Sequence, residues 1–394
     1  MKPKMLVPIL VILLLLACNA PFNVVIESAS TNSTSTPVPL SANTQAAVSS
    51  VTSNVTIQLS LTNTIAAPSV TSTLSPSNTP VPASNSASVY PVSPSSANYI
   101  DDRSTPSQLL VSYFNAINRK EYLRAYSYWE DPSTSLGDLT SFTTGYNDTA
   151  SVDLVFGQIT GNRAMSQYHY TVPVILKATS TTNVRTNFTA CYILHAAVPN
   201  VFGAPPFIPM TIERGIANPS DLHADDASVL ATACNGYPPG SYSESVGSNP
   251  LTIDKSNFLD NRSGAIETVS SLLNALNLKQ YVRAYSYFHD PSTYPGDYTS
   301  YAAGFSNTDT ITATFGTVQS EGAAGSLYYK VPLAMKVLTT SSSTQTFIGC
   351  YTLRLVQPGV QATPPFRPMG IVAGTFRQVD NSSDINTQLP TACS

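Results

Sequence analysis

Tyr122-Leu123-Arg124-Ala125-Tyr126-Ser127-Tyr128-Trp129 returns 159 residues later as Tyr281-Val282-Arg283-Ala284-Tyr285-Ser286-Tyr287-Phe288. The same offset carries Asp131-Pro132-Ser133-Thr134 onto Asp290-Pro291-Ser292-Thr293, and Pro205-Pro206-Phe207 onto Pro364-Pro365-Phe366. It also carries Met210 onto Met369, Cys191 onto Cys350 and Cys234 onto Cys393, with no gap from Tyr99 to Cys234. Two copies at so long a period are too few for a solenoid, whose short repeats stack on one another. The expectation is two globular domains, 99–234 and 258–394. A linker over 235–257, which holds Pro238-Pro239-Gly240 and several serines, would join them.

Within each copy the hydrophobic period changes once. Ser104 or Thr105 stands where a helix N-cap belongs, with Pro106 at the first helical position. Leu109, Leu110, Tyr113, Phe114 and Ile117 follow at helical spacing, matched by Ile266, Val269, Leu272, Leu273 and Leu276, and Asn118 and Asn277 read as helix ends. Tyr122, Ala125, Tyr126 and Trp129 predict a second, shorter helix that stops before Pro132. Beyond it the spacing falls to two: Val152, Leu154, Phe156; Tyr168 to Leu176; Phe188 to Leu194; and a last strand beginning at Met210, Ile212 and Arg214. Two helices followed by about four strands imply an α+β fold, the helices packed on one face of a curved antiparallel sheet.

That order, with the run Asn118…Tyr122…Ala125-Tyr126, resembles the NTF2-like cone fold of SnoaL and ketosteroid-isomerase relatives over each of 99–234 and 258–393. A cystatin-like or other small α+β domain is the competing architecture. The cone resemblance implies a cavity between helices and sheet, which relatives use for steroids, polyketides or other small molecules. It also implies that the two copies can pair as an intramolecular pseudo-dimer through their sheet faces.

The N-terminus carries a separate resemblance. Lys2 and Lys4 precede the apolar run Leu6 to Leu16, which is interrupted only by Pro8 and is too short to span a bilayer. It fits the apolar region of a secretory signal. Leu15-Leu16-Ala17-Cys18 then resembles the lipobox of bacterial lipoproteins. The resemblance implies a signal peptide over 1–17 and lipid on Cys18, hence an extracytoplasmic chain anchored to the cell membrane. An ordinary signal peptide with a chance cysteine is the alternative. Residues 18–98 are dominated by Ser, Thr, Asn, Pro, Ala and Val without a lasting apolar period, the composition of a disordered tether. About 80 flexible residues would reach about 50 Å on average.

With Cys18 set aside, Cys191, Cys234, Cys350 and Cys393 divide evenly between the copies. The repeat points to the bridges Cys191–Cys234 and Cys350–Cys393, although four cysteines allow three pairings. No metal site is expected, because His169, His195, His223 and His289 fall at no matched positions.

Charged residues make up 11% of the chain and the net charge is -4, so no basic face for nucleic acid is expected. The sequence contains no phosphate-binding glycine loop, no dinucleotide fingerprint and no G-x-S-x-G elbow. No cofactor follows, and no histidine recurs in both copies to build a triad. The candidate pocket residues are Tyr122, Arg124, Tyr126, Tyr128 and Asp131, with Tyr281, Arg283, Tyr285, Tyr287 and Asp290. On one helix face, Arg124, Tyr128 and Asp131 would ring a pocket mouth. Alternatively Arg124 and Asp131 form a local ion pair, and Asp131 sets a turn before Pro132. Tyr122 and Tyr126, with Trp129, read first as core, and Asp101, Arg103, Asp260 and Arg262 as helix caps. An isomerase of the cone type needs a buried carboxylate base, yet Asp153 has Thr312 as its counterpart. Pro205 to Met210 reads as an extended entry into the last strand, or as an apolar lip for a partner. The leading expectation is therefore a non-enzymatic module binding a small-molecule ligand or an envelope protein. The alternatives are a small-molecule enzyme of the cone type and a structural surface spacer.

Overall fold

The computed structural model describes residues 89–237, 240–244, 246, 253 and 255–394. The expected signal peptide, Cys18 and the tether up to residue 88 lie outside the described residues. In the first half, strand β1 (Tyr90–Val92) precedes helices α1 (Pro106–Asn118), α2 (Tyr122–Tyr126), α3 (Pro132–Leu136) and α4 (Leu139–Gly145). Strands β2 (Thr149–Phe156), β3 (Thr160–Ala164), β4 (Gln167–Ser180), β5 (Arg185–Ala197) and β6 (Thr211–Ser220) follow, then helix α5 (Asp226–Thr232) and strand β7 (Tyr242–Ser243). The second half runs α6 (Ala265–Asn277), α7 (Tyr281–Tyr285), α8 (Tyr298–Gly304), β8 (Thr308–Phe315), β9 (Gln319–Ala323), β10 (Ser326–Thr339), β11 (Thr344–Val356), β12 (Gly370–Val379) and α9 (Ile385–Gln388).

The chain is thus α+β, with two antiparallel sheets. In each, one long strand is central: β4 pairs with β5 on one side and with both β2 and β3 on the other, as β10 pairs with β11, β8 and β9. Pro173 sits where β4 changes partner, between Thr171 opposite Thr160 and Val174 opposite Phe156. Pro332 holds the same place in β10, between Lys330 opposite Gln319 and Leu333 opposite Phe315. Proline has no N–H to offer a ladder. At these junctions its carbonyl alone is used, accepting from Gly157 N and Gly316 N at 2.9 and 2.8 Å.

Helix α1 begins as its sequence demands: Thr105 Oγ1 accepts from Gln108 N, and Pro106 needs no partner. Its apolar stripe packs on β2 and β4 to form the first core, with Leu109, Leu110, Phe114, Ile117, Leu154, Val174 and Ile212 buried. Leu272, Leu273, Leu276, Ile311, Leu333 and Ile371 belong to the second core. The bridges Cys191–Cys234 and Cys350–Cys393 are present, each joining residues 43 apart. Each lies on the sheet face turned away from its core, which α5 covers in the first sheet through Leu230 against Val155 and Ile175, and which Leu389 covers in the second against Ala334 and Ile348. Among the described residues no helix is long and apolar enough to cross a membrane.

Three expectations need correction. The sheets have more than about four strands, because β3 and β9 carry too few apolar residues to alternate. The tether does not run to residue 98: β1 pairs with β2, and Asn118 donates to Pro94 O at 2.7 Å. Asn118 also exchanges bonds with the backbone of Val152, so it staples α1 to the sheet; Asn277 does the same for Ile253 and Ile311. Finally, part of the 235–257 linker folds back: β7 pairs with β3, and the Glu244 carboxylate accepts from Ser107 N and Oγ at the start of α1.

Candidate functional site

The second helix is shorter than its apolar spacing predicts. It ends at Tyr126, and the chain is drawn out to bridge the last strand: Ile212 N donates to Tyr128 O and Glu130 N to Ile212 O. Tyr287, His289 and Ile371 repeat this. Arg124, Tyr128 and Asp131 therefore do not share a face. Arg124 is 1% exposed and Arg283 0%. The Arg124 guanidinium donates to Ile100 O, to Asn115 Oδ1 at 2.8 Å and to Glu121 Oε2 at 2.7 Å, and it stacks 4.6 Å from the Tyr99 ring. Arg283 has the same set with one change among its hydrogen-bond acceptors and a phenyl ring in place of the phenol. Leu259 O, Asn274 Oδ1 and the Phe258 ring occupy equivalent places, but Gln280 stands where Glu121 does. These arginines organise the interior and do not reach a pocket mouth.

The other candidates also scatter. Asp131 and Asp290 are exposed and bond the turn after them, Asp131 capping α3 through Thr134 N at 3.1 Å. No Arg124–Asp131 pair forms; Asp131 keeps only its turn role. Tyr122 stacks on Tyr146, and Tyr281 donates to Phe305 O at 3.5 Å. Tyr126 and Tyr285 donate to Gly137 O and Gly296 O, both at 2.6 Å. Tyr128 and Tyr287 are fully buried and donate to Asp101 Oδ1 and Asp260 Oδ1, both at 2.8 Å.

Those two aspartates, expected as helix caps, belong instead to a seam between the halves. Segments 101–104 and 260–263 lie against each other, antiparallel, with Asp102 opposite Asn261. Arg103 N donates to Asp260 O at 2.7 Å and Arg262 N to Asp101 O at 2.6 Å. Asp101 N donates to Ser263 Oγ and Asp260 N to Ser104 Oγ, both at 2.9 Å. Each bond has its counterpart under exchange of the halves, as at a two-fold interface. One position breaks the exchange: Asn261 Nδ2 donates to Asp102 Oδ2 at 3.0 Å. Burial foremost, together with the charges of Asp260 and Asp101, pushes the Asp102 carboxyl up to about 6.

The arginines beside the seam are held by backbone oxygens. Arg103 donates to Met210 O and Ser127 O and lies 4.4 Å from the Tyr128 ring centre; Arg262 donates to Met369 O and Ser286 O, 4.5 Å from that of Tyr287. Above them opens a cleft of about 450 Å³. Asp101, Arg103, Asp260 and Arg262 are part of its wall, together with Tyr126 and Trp129. Its rim comes from the repeated proline segments, Phe207 and Pro209 on one side and Pro364, Pro365, Phe366 and Pro368 on the other. Both Phe side chains, Pro209 and Pro368 are half-buried, and Pro364 and Pro365 are exposed. Of the ten candidate pocket residues, Tyr126 alone lines this cleft. The legible signal for the rest was the matched Pro-Pro-Phe, read as a lip.

Fold and site together define an α+β protein of two antiparallel sheets with an apolar-rimmed cleft beside a polar, buried seam. No family model, no curated protein and no solved structure matches the chain.

Proposed function

We propose that the chain is an extracytoplasmic lipoprotein, anchored to the cell membrane through Cys18, whose two NTF2-like domains form one non-enzymatic binding module. In this reading the halves arose by duplication and pair as a pseudo-dimer through 101–104 and 260–263 rather than through their sheet faces. The seam cleft takes a small, largely apolar ligand. The observation that carries the reading is the cleft itself: about 450 Å³, with Phe207 and Phe366 from matched segments on its rim. Small-molecule sites have this size and this mixture of apolar walls with a few fixed polar groups. Arg103, Arg262, Asp101 and Asp260 balance in formal charge, which suits a neutral ligand. The repeated element order and the β4/β10 registers support duplication, and two disulfides suit an oxidising compartment.

The test is native mass spectrometry of the full chain purified from its own host, beside the double variant Phe207→Ala/Phe366→Ala. A co-purifying small molecule that the double variant lacks is expected. A parent chain carrying no bound mass, or a bound mass indifferent to both substitutions, counts against the cleft as the binding site.

A further inference from the structure

We propose that the outer edge of β9 is a docking site for an extended peptide of a partner protein, which joins the second sheet as a strand bearing an aromatic residue and, two residues on, a basic one. The first half shows what a strand does at this place. Strand β7 lies on the outer edge of β3, with Ser243 opposite Thr160 and Tyr242 opposite Gly161. The Tyr242 ring packs against that of Tyr170 with centroids 4.8 Å apart, and Ser243 Oγ accepts from Gln158 Nε2 at 3.0 Å. Glu244 follows two residues after Tyr242, the spacing that returns a strand to the same face. Its carboxylate accepts from Ser107 N and Oγ at the start of α1. With this segment in place Ser107, Ile159 and Tyr170 are buried.

Strand β9 stands 159 residues after β3 and pairs along its inner edge with β10, as β3 does with β4. Among the described residues nothing pairs with its outer edge, and all five of its residues are exposed. The counterparts of Ser107, Ile159 and Tyr170 are Ile266, Val318 and Tyr329, and each is half-buried rather than buried. A partly uncovered apolar strip thus lies beside the edge where the first half holds a strand. Strand addition takes its affinity from main-chain hydrogen bonds and its specificity from alternate side chains. Tyr329 stands where Tyr170 receives Tyr242, which calls for an aromatic residue. The charge requirement is inverted. Ile266 has no hydroxyl to donate, and the Glu267 carboxylate lies against Gly264 at the start of α6. A carboxylate in the place of Glu244 would meet a like charge there, and a cation would find a partner. Glu321 adds a second negative charge on the same edge. It also argues against a second copy as the occupant, because full-length antiparallel pairing of β9 with its own copy sets Glu321 opposite Glu321.

The test follows the amide resonances of the isotope-labelled full chain by NMR while unlabelled peptides are added at low salt. The probes are the peptide of residues 240–246 and the same peptide carrying Glu244→Lys. The lysine peptide should shift the resonances of β9 and bind about tenfold more tightly than the unaltered one, an attraction having replaced a repulsion. The chain variant Glu267→Lys should reverse that order. Adding Tyr242→Ala to the lysine peptide should weaken its binding by about tenfold or more, without touching the fold of the chain. Shifts absent from β9, or a preference that Glu267→Lys leaves unreversed, overturn the proposal. So do β9 shifts that depend on protein concentration alone, which would make a second copy the occupant.

Discussion

Asn261→Asp is the sharpest perturbation of the seam. Asn261 Nδ2 stands 3.0 Å from Asp102 Oδ2, so the substitution sets a second carboxylate oxygen where a donor was. Two full charges about 3 Å apart repel by roughly 5–6 kcal/mol at an effective dielectric of about 20. The folded protein has a less costly arrangement, in which the pair keeps one proton and the O–H of the introduced carboxyl replaces the amide as donor. Holding a proton at pH 7 on a carboxyl whose unfolded pKa is about 3.9 costs roughly 4 kcal/mol, growing by about 1.4 kcal/mol per pH unit. The proton-sharing state is therefore the one populated. The variant should lose about 4 kcal/mol at pH 7, about 1.5 kcal/mol at pH 5 and almost nothing at pH 4. The sign follows from linkage: the folded state binds a proton that the unfolded state has released, so stability falls as pH rises above about 3.9. The parent has a smaller fall of the same sign, because Asp102 is pushed up to about 6. Its contribution is lost between about pH 4 and pH 6 and is level above that, and Asp102→Asn should remove this slope. Urea unfolding at steps from pH 4 to pH 8 checks both variants, with fluorescence of the chain's one tryptophan, Trp129, as the probe. Destabilisation by Asn261→Asp that is equal at both ends of this range, or absent at pH 7, refutes the facing-carboxylate geometry.

Two further outcomes follow from the buried polar groups and the bridges. Arg124→Met takes one of its two arginine partners from the Glu121 carboxylate, which is 8% exposed and keeps Arg119 at 2.7 Å, and leaves Asn115 Oδ1 and Ile100 O without this donor; it should cost about 3 kcal/mol. Arg283→Met leaves only neutral acceptors, Gln280 among them, and should cost at least about 1 kcal/mol less; chemical denaturation of both variants decides. Replacing Cys191 and Cys234 together by Ser opens a loop whose ends are 43 residues apart. In the chain-entropy model this costs about 4 kcal/mol. Calorimetry should show that loss, and the corresponding change at Cys350 and Cys393 should match it.

What the sequence revealed and what it hid divide along physical lines. Helix α1 and the long strands were legible because burial of an apolar face imposes a period, and Thr105 with Pro106 fixed the start of α1. Strand β3 was hidden because Thr160-Gly161-Asn162-Arg163-Ala164 has no apolar alternation; it is a strand because its backbone satisfies the free edge of β4. The helix carrying Arg124 was extended too far for a related reason. The hydrogen bonds between 128–130 and Ile212 are backbone bonds, and side-chain spacing cannot announce them. Asp101, Arg103 and Ser104 show the same limit most clearly. Their repetition as Asp260, Arg262 and Ser263 was visible, and capping a helix was a sufficient use for them within a single copy. Only the pairing of one copy with the other gives both serines an N–H to accept from and both arginines a carbonyl across the seam. A chain whose sequence repeats can thus carry its most distinctive chemistry at the points where its halves meet or differ. In this one those points are Asn261 against Asp102, Gln280 against Glu121, and β9, paired with β10 alone among the described residues, against β3, which β7 covers.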